Sequence, residues 1–147
     1  MKYLFTLGIA LACTFASVSF GALAATAPTI VMADQAKYAP AKGYPDGATM
    51  AVLSGDPTAA GSQYTVRLKL RDGVKIPPHT HGDTENVTVI SGTLLVGVGT
   101  SFDESKMLSL SPGSYASIPS GTPHFAKAKG ETVVQINGVG AASITRL

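Results

Sequence analysis

The chain has 147 residues, which is enough for one domain with its own hydrophobic core and too few for two. Its formal charge of +2 is small, and no cluster of Lys or Arg provides the basic surface that nucleic-acid binding requires. Aromatic residues make up only 7% and Trp is absent, whereas Gly (16) and Pro (9) are frequent. This composition favours many short strands joined by turns over long helices.

Residues 1–24 have the pattern of a secretory signal peptide. Lys2 supplies the positive charge, an apolar run covers residues 3–20, and Ala22-Leu23-Ala24 forms a small-residue cleavage site. An uncleaved transmembrane anchor and a lipoprotein attached at Cys13 are the alternative interpretations. We favour cleavage, which predicts a periplasmic or secreted protein without a stable membrane anchor.

Cleavage after Ala24 would also remove the single cysteine of the chain, Cys13, together with Lys2. The mature chain would keep 10 basic and 9 acidic residues, for a charge of +1. Without cysteine it could form no disulfide and offer no thiolate. Its chemistry would therefore depend on histidines, carboxylates and a bound metal.

Residues 25–47 are loop-like, with a possible short edge strand over residues 29–32. The remaining chain, residues 48–147, is predicted to form one domain of short strands separated by Gly- and Pro-containing turns. The predicted strands cover residues 48–53, 63–70, 86–90, 93–98, 107–110, 114–118, 124–128 and 131–137. Ser91-Gly92 is interpreted as a hairpin turn and Lys129-Gly130 as a second turn. Strands at this spacing predict an all-β antiparallel sandwich or barrel.

The strand over residues 63–70 has the clearest pattern, because apolar and polar residues alternate along its whole length. Tyr64 lies on its apolar face, and we predict that Tyr64, Tyr115 and Phe125 belong to the core. In a later strand, Gln135 and Asn137 alternate with apolar residues. They would bind substrate if that strand lines the barrel, and would be solvated if it is an edge strand.

All three histidines of the chain fall in two short segments. In the first, His79 and His81 are two residues apart, so both imidazoles would project from the same face of an extended backbone. Glu85 follows a turn that contains Gly82, where the chain can double back towards the same point. Asp83 is the alternative carboxylate, but it lies within the turn.

The second segment carries the third histidine, His124. A Pro-x-Gly turn, Pro119-Ser120-Gly121, places His124 at the start of the next predicted strand. From there it would close the site from a remote part of the barrel. Three imidazoles and one carboxylate are typical ligands of a divalent transition metal.

These two segments resemble the motif pair of the cupin superfamily. The pattern G-x5-H-x-H-x3-E-x6-G runs without a gap over residues 73–92, and G-x5-P-x-G-x2-H-x3-N runs over residues 113–128. The second departs only at its last position, where Ala128 replaces Asn. The chain is also similar to exported bacterial cupins of a small, single-domain type. The resemblance implies a jelly-roll barrel, also called a double-stranded β-helix, and a possible homodimer.

The resemblance also implies one divalent metal ion per chain, held by His79, His81, Glu85 and His124. Ligand type alone leaves Fe, Mn, Ni, Cu, Co and Zn open. Two functions follow as hypotheses. One is a metal-dependent enzyme of the dioxygenase, oxidase or decarboxylase type that acts on a small oxygenated molecule. The other is a non-catalytic periplasmic protein that binds a metal or small molecule as a sensor, store or carrier. The motifs contain no clear general acid or base, so no catalytic residue is assigned.

Overall fold

The computed structural model describes residues 27–147, and the predicted signal peptide lies outside that range. Nine strands make up most of it: β1 (Ala39–Pro40), β2 (Ala48–Gly55), β3 (Gln63–Leu70), β4 (Lys75–Thr80), β5 (Glu85–Val98), β6 (Leu108–Leu110), β7 (Tyr115–Ile118), β8 (His124–Val139) and β9 (Thr145–Arg146). Two short 3-10 helices, Ala33–Gln35 and Glu104–Lys106, are the only helical elements among these residues. Within the described part of the chain, no helix has the length and apolar character needed to span a membrane.

All the strands pair antiparallel in one curled sheet. Along one path the order is β1-β2-β3-β8-β4-β9, and β5 leaves this path to pair with β6, β7 and β8. Strand β8 is therefore the centre of the molecule, because β3, β4 and β5 all bond to it. This arrangement confirms the all-β antiparallel barrel that the sequence predicts.

Strands β5 and β8 are each continuous, so the predicted hairpin at Ser91-Gly92 and the turn at Lys129-Gly130 are wrong. Both places are irregular positions within a single long pairing, where one residue of β5, Gly92, lies opposite three residues of β8, 130–132. Gly92 has φ of 74°, and a Cβ there would overlap the carbonyl oxygen of Glu131. The glycine bends the strand without reversing it, because β8 bends alongside and keeps its bonds to β5 on both sides of the irregularity.

The core lies inside the curled sheet, and β3 illustrates how it forms. Its alternation is as predicted: Tyr64, Val66, Leu68 and Leu70 are buried and the residues between them are more exposed. Each fully buried apolar side chain of this size contributes about 1.5–3 kcal/mol through its removal from water. Phe125 is buried as expected.

Tyr115 contradicts its predicted place in the core, because its side chain is exposed. It pairs with Thr88 on the outer face of β7, and its hydroxyl donates a hydrogen bond to Asn86 Oδ1 at 2.7 Å. The neighbouring residue of β7, Ala116, faces the interior instead.

The edge of the sheet differs from the prediction as well. Residues 29–32 form no strand, and Ile30 is 76% exposed. The short edge strand is β1, which pairs with Thr49 and Met50 of β2. The apolar residues before it find no strand to bond with, and a lone extended segment leaves its backbone groups to water.

Candidate metal centre

Two of the histidines face each other across neighbouring strands. His79 of β4 and His124 of β8 are direct partners in the register of that pair, and their ring centroids are 4.1 Å apart. Each is 3% exposed. The Pro-x-Gly turn before His124 ends where predicted, so β8 begins at this residue. Strand pairing therefore brings together two residues that are far apart in sequence.

His81 lies just beyond the end of β4, in the turn that leads to β5. This turn is bonded to the Pro-x-Gly turn of the second segment. The amide of Gly121 donates to His81 O at 2.9 Å, and the hydroxyl of Ser120 donates to Gly82 O at 2.9 Å. The two histidine-bearing segments thus hold each other in place, with the His81 ring 4.9 Å from that of His79 and 5.2 Å from that of His124.

Every one of the three imidazoles bonds to a backbone carbonyl through Nδ1. His79 Nδ1 lies 2.7 Å from Pro77 O, and His124 Nδ1 lies 2.9 Å from Thr122 O. His81 Nδ1 lies 2.7 Å from Ser143 O, which is a distant residue in the sequence. A carbonyl oxygen only accepts, so each Nδ1 must carry the proton. The lone pair of each neutral ring is then on Nε2, the tautomer that a metal ligand requires.

The three rings offer their ligand atoms to one small volume. One ligand atom from each histidine can be chosen so that all three lie within 4.8 Å of one another. His81 Nε2 is buried and has no hydrogen-bond partner among residues 27–147. A buried nitrogen with a free lone pair is costly unless it meets a cation or a donor. The residues present therefore fit a divalent metal: the three histidines could hold one.

Glu85 lies at the start of β5, where it borders the same volume. Its Oε2 is 3.5 Å from His81 Nε2 and 3.4 Å from His124 Nε2, and the residue is 8% exposed. Burial opposes its ionisation, but the imidazoles of His124, His81 and His79 outweigh burial and lower the pKa of the carboxyl. The protonated imidazoles that lower this pKa supply the positive charge that a bound cation would supply in their place, so the buried carboxylate favours a cation at this position.

The buried histidines themselves differ in pKa. Burial lowers the pKa of His79 to about 4, so this ring is neutral at physiological pH. Burial acts in the same direction on His124, but contacts with Glu85 and with the carbonyl of Thr122 outweigh it and raise its pKa. A histidine must be neutral to bind a metal. Because the pKa of His79 is low, protons compete only weakly with a metal ion for that ring.

Asp83, the alternative carboxylate, is engaged elsewhere. The hydroxyl of Tyr64 donates to Asp83 Oδ2 at 2.8 Å. Gly138 makes this contact possible, since a Cβ at that position would overlap both Asp83 Oδ2 and the Tyr64 hydroxyl. Asp83 therefore helps to anchor the turn between His81 and Glu85.

Gln135 and Asn137 are not brought to the histidines. They alternate along β8 with Val134 and Ile136, which line the interior, and so they face the outer side of the sheet. Asn137 Nδ2 donates to Thr65 Oγ1 at 2.7 Å, and Asn137 borders an outer groove of about 460 Å³. Strand β8 is not an edge strand: it pairs with β3, β4 and β5 and lines the barrel, but through its apolar residues and not through these two. Their predicted role in substrate binding stays a prediction.

The histidines lie between two cavities of very different size. The inner cavity is only about 30 Å³ and is bordered by His79, His124 and Glu85 together with core side chains. The outer cavity, about 400 Å³, is bordered by His81 and Glu85 and opens towards the N- and C-terminal segments. Tyr44 borders both cavities.

Sequence reasoning missed two residues of this centre, Tyr44 and Ser143. Tyr44 lies in a segment that the sequence shows only as a loop, and burial raises the pKa of its hydroxyl, with the negative charge of Glu85 adding to the effect. Ser143 belongs to the last residues of the chain, and it contacts the site through its backbone oxygen. A backbone contact leaves no trace in residue type, so no sequence signal could have identified Ser143.

Comparison with known proteins places this geometry in context. The model of the cupin domain family matches residues 66–138, about half of the chain. No curated protein matches the sequence.

Three of the similar solved structures illustrate the likeness. The polyketide cyclase RemF of Streptomyces resistomycificus has a TM-score of 0.67 at 17% identity, over 82% of this chain and 86% of that one. An RmlC-like cupin of Shewanella frigidimarina has a TM-score of 0.60 at 16% identity, over 78% and 93%. The salicylate 1,2-dioxygenase of Pseudoaminobacter salicylatoxidans has a TM-score of 0.55 at 16% identity, over 68% of this chain and 27% of that one. At these identities the likeness is one of fold, and it identifies the curled sheet as a jelly roll.

Proposed function

The chain belongs to the cupin superfamily, and from that premise we propose that it is a metal-dependent enzyme acting on a small oxygenated molecule. The observation that carries the proposal is the common orientation of His79, His81 and His124. All three bond a carbonyl through Nδ1, which leaves three Nε2 lone pairs for one divalent ion. A set of imidazoles held this way has no comparable use in a core that only needs to be filled.

Glu85 completes the proposed ligand set. Support comes from its burial, its lowered pKa and its distances of 3.4 and 3.5 Å to two of the imidazoles. Three nitrogens and one oxygen suit Fe, Mn, Ni, Cu, Co or Zn. When bound, such an ion would supply Lewis acidity for a substrate oxygen or, if it is redox-active, dioxygen or oxidase chemistry.

The residues of the chain would contribute binding, orientation and exclusion of water. A substrate held against the apolar walls of the outer cavity would displace water from the side that His81 and Glu85 border. The turn that carries His81 is anchored by Asp83 and by the Pro-x-Gly turn, so the ligands are set before a substrate arrives. Structures of similar fold include a polyketide cyclase and a salicylate dioxygenase, so enzymes of this kind do use the fold.

An aerobic turnover screen tests the proposal. The Fe(II), Mn(II), Ni(II) and Cu(II) forms would be assayed against small oxo-acids and catechols, with the metal content of each sample measured beforehand. We expect turnover with at least one metal, and at least a tenfold loss of the rate in Glu85→Gln, or about 1.4 kcal/mol. Glu131→Gln, the same substitution at an exposed residue of β8, is the matched control and should keep activity within about threefold. No turnover by fully metal-loaded protein would overturn the proposal of an enzyme and would leave the alternative of a sensor, store or carrier.

We also propose that the protein is exported. Lys2, the apolar run over residues 3–20 and the small residues Ala22-Leu23-Ala24 support this. Intact mass of protein recovered from the periplasm should correspond to a chain that begins near Ala25. Recovery of the full-length mass only would contradict cleavage.

A further inference from the structure

We propose that the substrate is an apolar, ring-sized molecule with adjacent oxygen atoms, held in the outer cavity with those oxygens towards His81 and Glu85. The inference rests on the proposed function and names the substrate class of the same site. It selects among the chemistries that the ligand set leaves open, because a small, fully polar acid would leave the apolar walls of this cavity uncovered.

Size and lining are the first argument. The cavity has a volume of about 400 Å³, and its walls come mainly from apolar or aromatic side chains. These include Tyr44, Met50, Val52, Tyr64, Val66 and Ile144. An apolar cavity of about 150 Å³ is already sufficient to bind benzene. The space therefore accommodates one ring with substituents, and its lining would gain from the burial of an apolar body.

Charge is the second argument. Among the residues that line the cavity, Lys42 is the single cation, and it is exposed on the loop before Tyr44. Glu85, a proposed metal ligand, borders the same cavity. A bound divalent ion would attract a small dianion such as oxalate, but the dianion would lose its hydration against apolar walls that it cannot fill. A neutral ring with hydroxyl groups avoids that cost.

Access is the third argument. The inner cavity on the other side of the histidines holds about 30 Å³, the share of a single water in the liquid. It is lined by fully buried core residues such as Leu70 and Val134. A substrate must therefore approach from the outer cavity and adopt its shape.

The walls that define this shape come partly from segments that flank the family match. Tyr44 precedes residues 66–138, and Ile144 follows them. The two flanks touch: Arg146 Nη2 donates to Gly43 O at 3.0 Å, and a Cβ at Gly43 would come within 2.7 Å of Ile144 Cγ2. The substrate class is thus set partly by residues outside the family match, in addition to a ligand set provided by the motifs.

The test is a binding experiment that needs no turnover. Zinc-loaded protein with ¹³C-labelled methyl groups would be titrated with catechol and, separately, with oxalate, while bound zinc is measured in the same samples. We expect catechol to shift the methyl signals of Met50, Val52 and Ile144, and oxalate to bind at least about tenfold more weakly and leave those signals unmoved.

A pair of variants locates the ligand. Val52→Asp introduces a charge into the cavity wall at a residue that is 53% exposed and tolerant of change. It should weaken catechol binding at least about tenfold at unchanged zinc content. Val139→Asp is the control, because Val139 is 51% exposed and borders the outer groove instead. It should stay within about twofold of the unmodified protein.

The outcomes separate the two proposals. Zinc bound in the expected amount, with oxalate as tight as catechol or with Val52→Asp indistinguishable from the control, would overturn the substrate class alone. Failure of the protein to retain zinc or any other of the six metals that the ligand set suits would overturn the proposed function, and the inference with it.

Discussion

The three histidines of the centre are held in two different ways. His79 and His124 are almost fully buried, face each other in strand register, and bond to carbonyls two residues away in the sequence. His81 is more exposed, lies in a turn, and bonds to Ser143, which is 62 residues away. The rings of the first pair are oriented by carbonyls within the motifs, whereas the ring of the third ligand is oriented by a segment outside the family match. We therefore expect the motif residues to make the largest contribution to metal affinity, and the segment with Ser143 to make a smaller one.

The largest effect should come from the locally held pair. His124→Ala removes a proposed ligand and leaves Glu85 beside an emptied position, so metal affinity should fall at least about 100-fold, or about 3 kcal/mol. Competition with a chromophoric chelator measures the affinity, and circular dichroism checks that the sheet remains. An affinity within about threefold of the unmodified protein would show that His124 is no ligand.

The buried pair should also make the metal-free protein sensitive to acid. Unfolded histidine takes up its proton near pH 6.5, whereas folded His79 does so only near 4. Between these values the unfolded state binds more protons, so the free energy of unfolding should drop as pH falls from 6.5 to 4. His79 alone would account for about 3 kcal/mol, with His124 partly offsetting it around neutral pH.

Urea denaturation of metal-free protein between pH 7 and pH 4 measures this dependence. His79→Asn lacks the titrating ring and should show a flatter profile over the same range. Identical slopes in the two proteins would mean that the burial of His79 does not govern the acid response.

Removal of the distant support should have an intermediate effect. A chain that ends after Ala142 lacks Ser143 O, and its His81 ring loses the acceptor for Nδ1–H. Loss of such a support typically reduces metal affinity about 10–100-fold. A chain that ends after Ile144 keeps this carbonyl but also loses β9, which pairs with His79 and Thr80, so it is the matched control for that loss, and its affinity should exceed that of the shorter chain at least about tenfold. Equal affinities in the two truncated chains would refute the role assigned to Ser143.

The smallest effect should come from the Ser143 side chain. Its hydroxyl accepts a hydrogen bond from the amide of Gly82 at 3.1 Å, next to His81. Ser143→Ala removes this bond and should lower the free energy of unfolding by about 1 kcal/mol. Metal affinity should change little, because the backbone carbonyl that orients His81 is retained. A tenfold loss of affinity would show that the hydroxyl and not the carbonyl is decisive.

The same division explains how much of the site could be predicted from the sequence. The motif spacing predicts one site for His79, His81, Glu85 and His124, and the structure brings all four to one volume, because strand alternation and the two turns orient each segment and the pairing of β4 with β8 joins them. The contact with Ser143 could not be predicted, because it joins a backbone oxygen to a ring across a long stretch of chain.

The fold shows the same limit. The bounds of β3 were predicted exactly as observed at 63–70, since its alternation is uninterrupted. Strands β5 and β8 were each divided in two, because a glycine-containing pair of residues has the same local signature in a bend as in a hairpin turn. Only the partner strand distinguishes a bend from a hairpin turn, and the pairing of β5 with β8 joins residues that are far apart in the sequence.

The most direct test of the central claim is the metal content of the purified protein and of its His81→Ala variant, by elemental analysis. We expect about one divalent ion per chain in the unmodified protein, and loss of most of that metal in the variant with the barrel still folded. A wild-type metal content in His81→Ala, or an unmodified protein that retains no metal after loading, would contradict it.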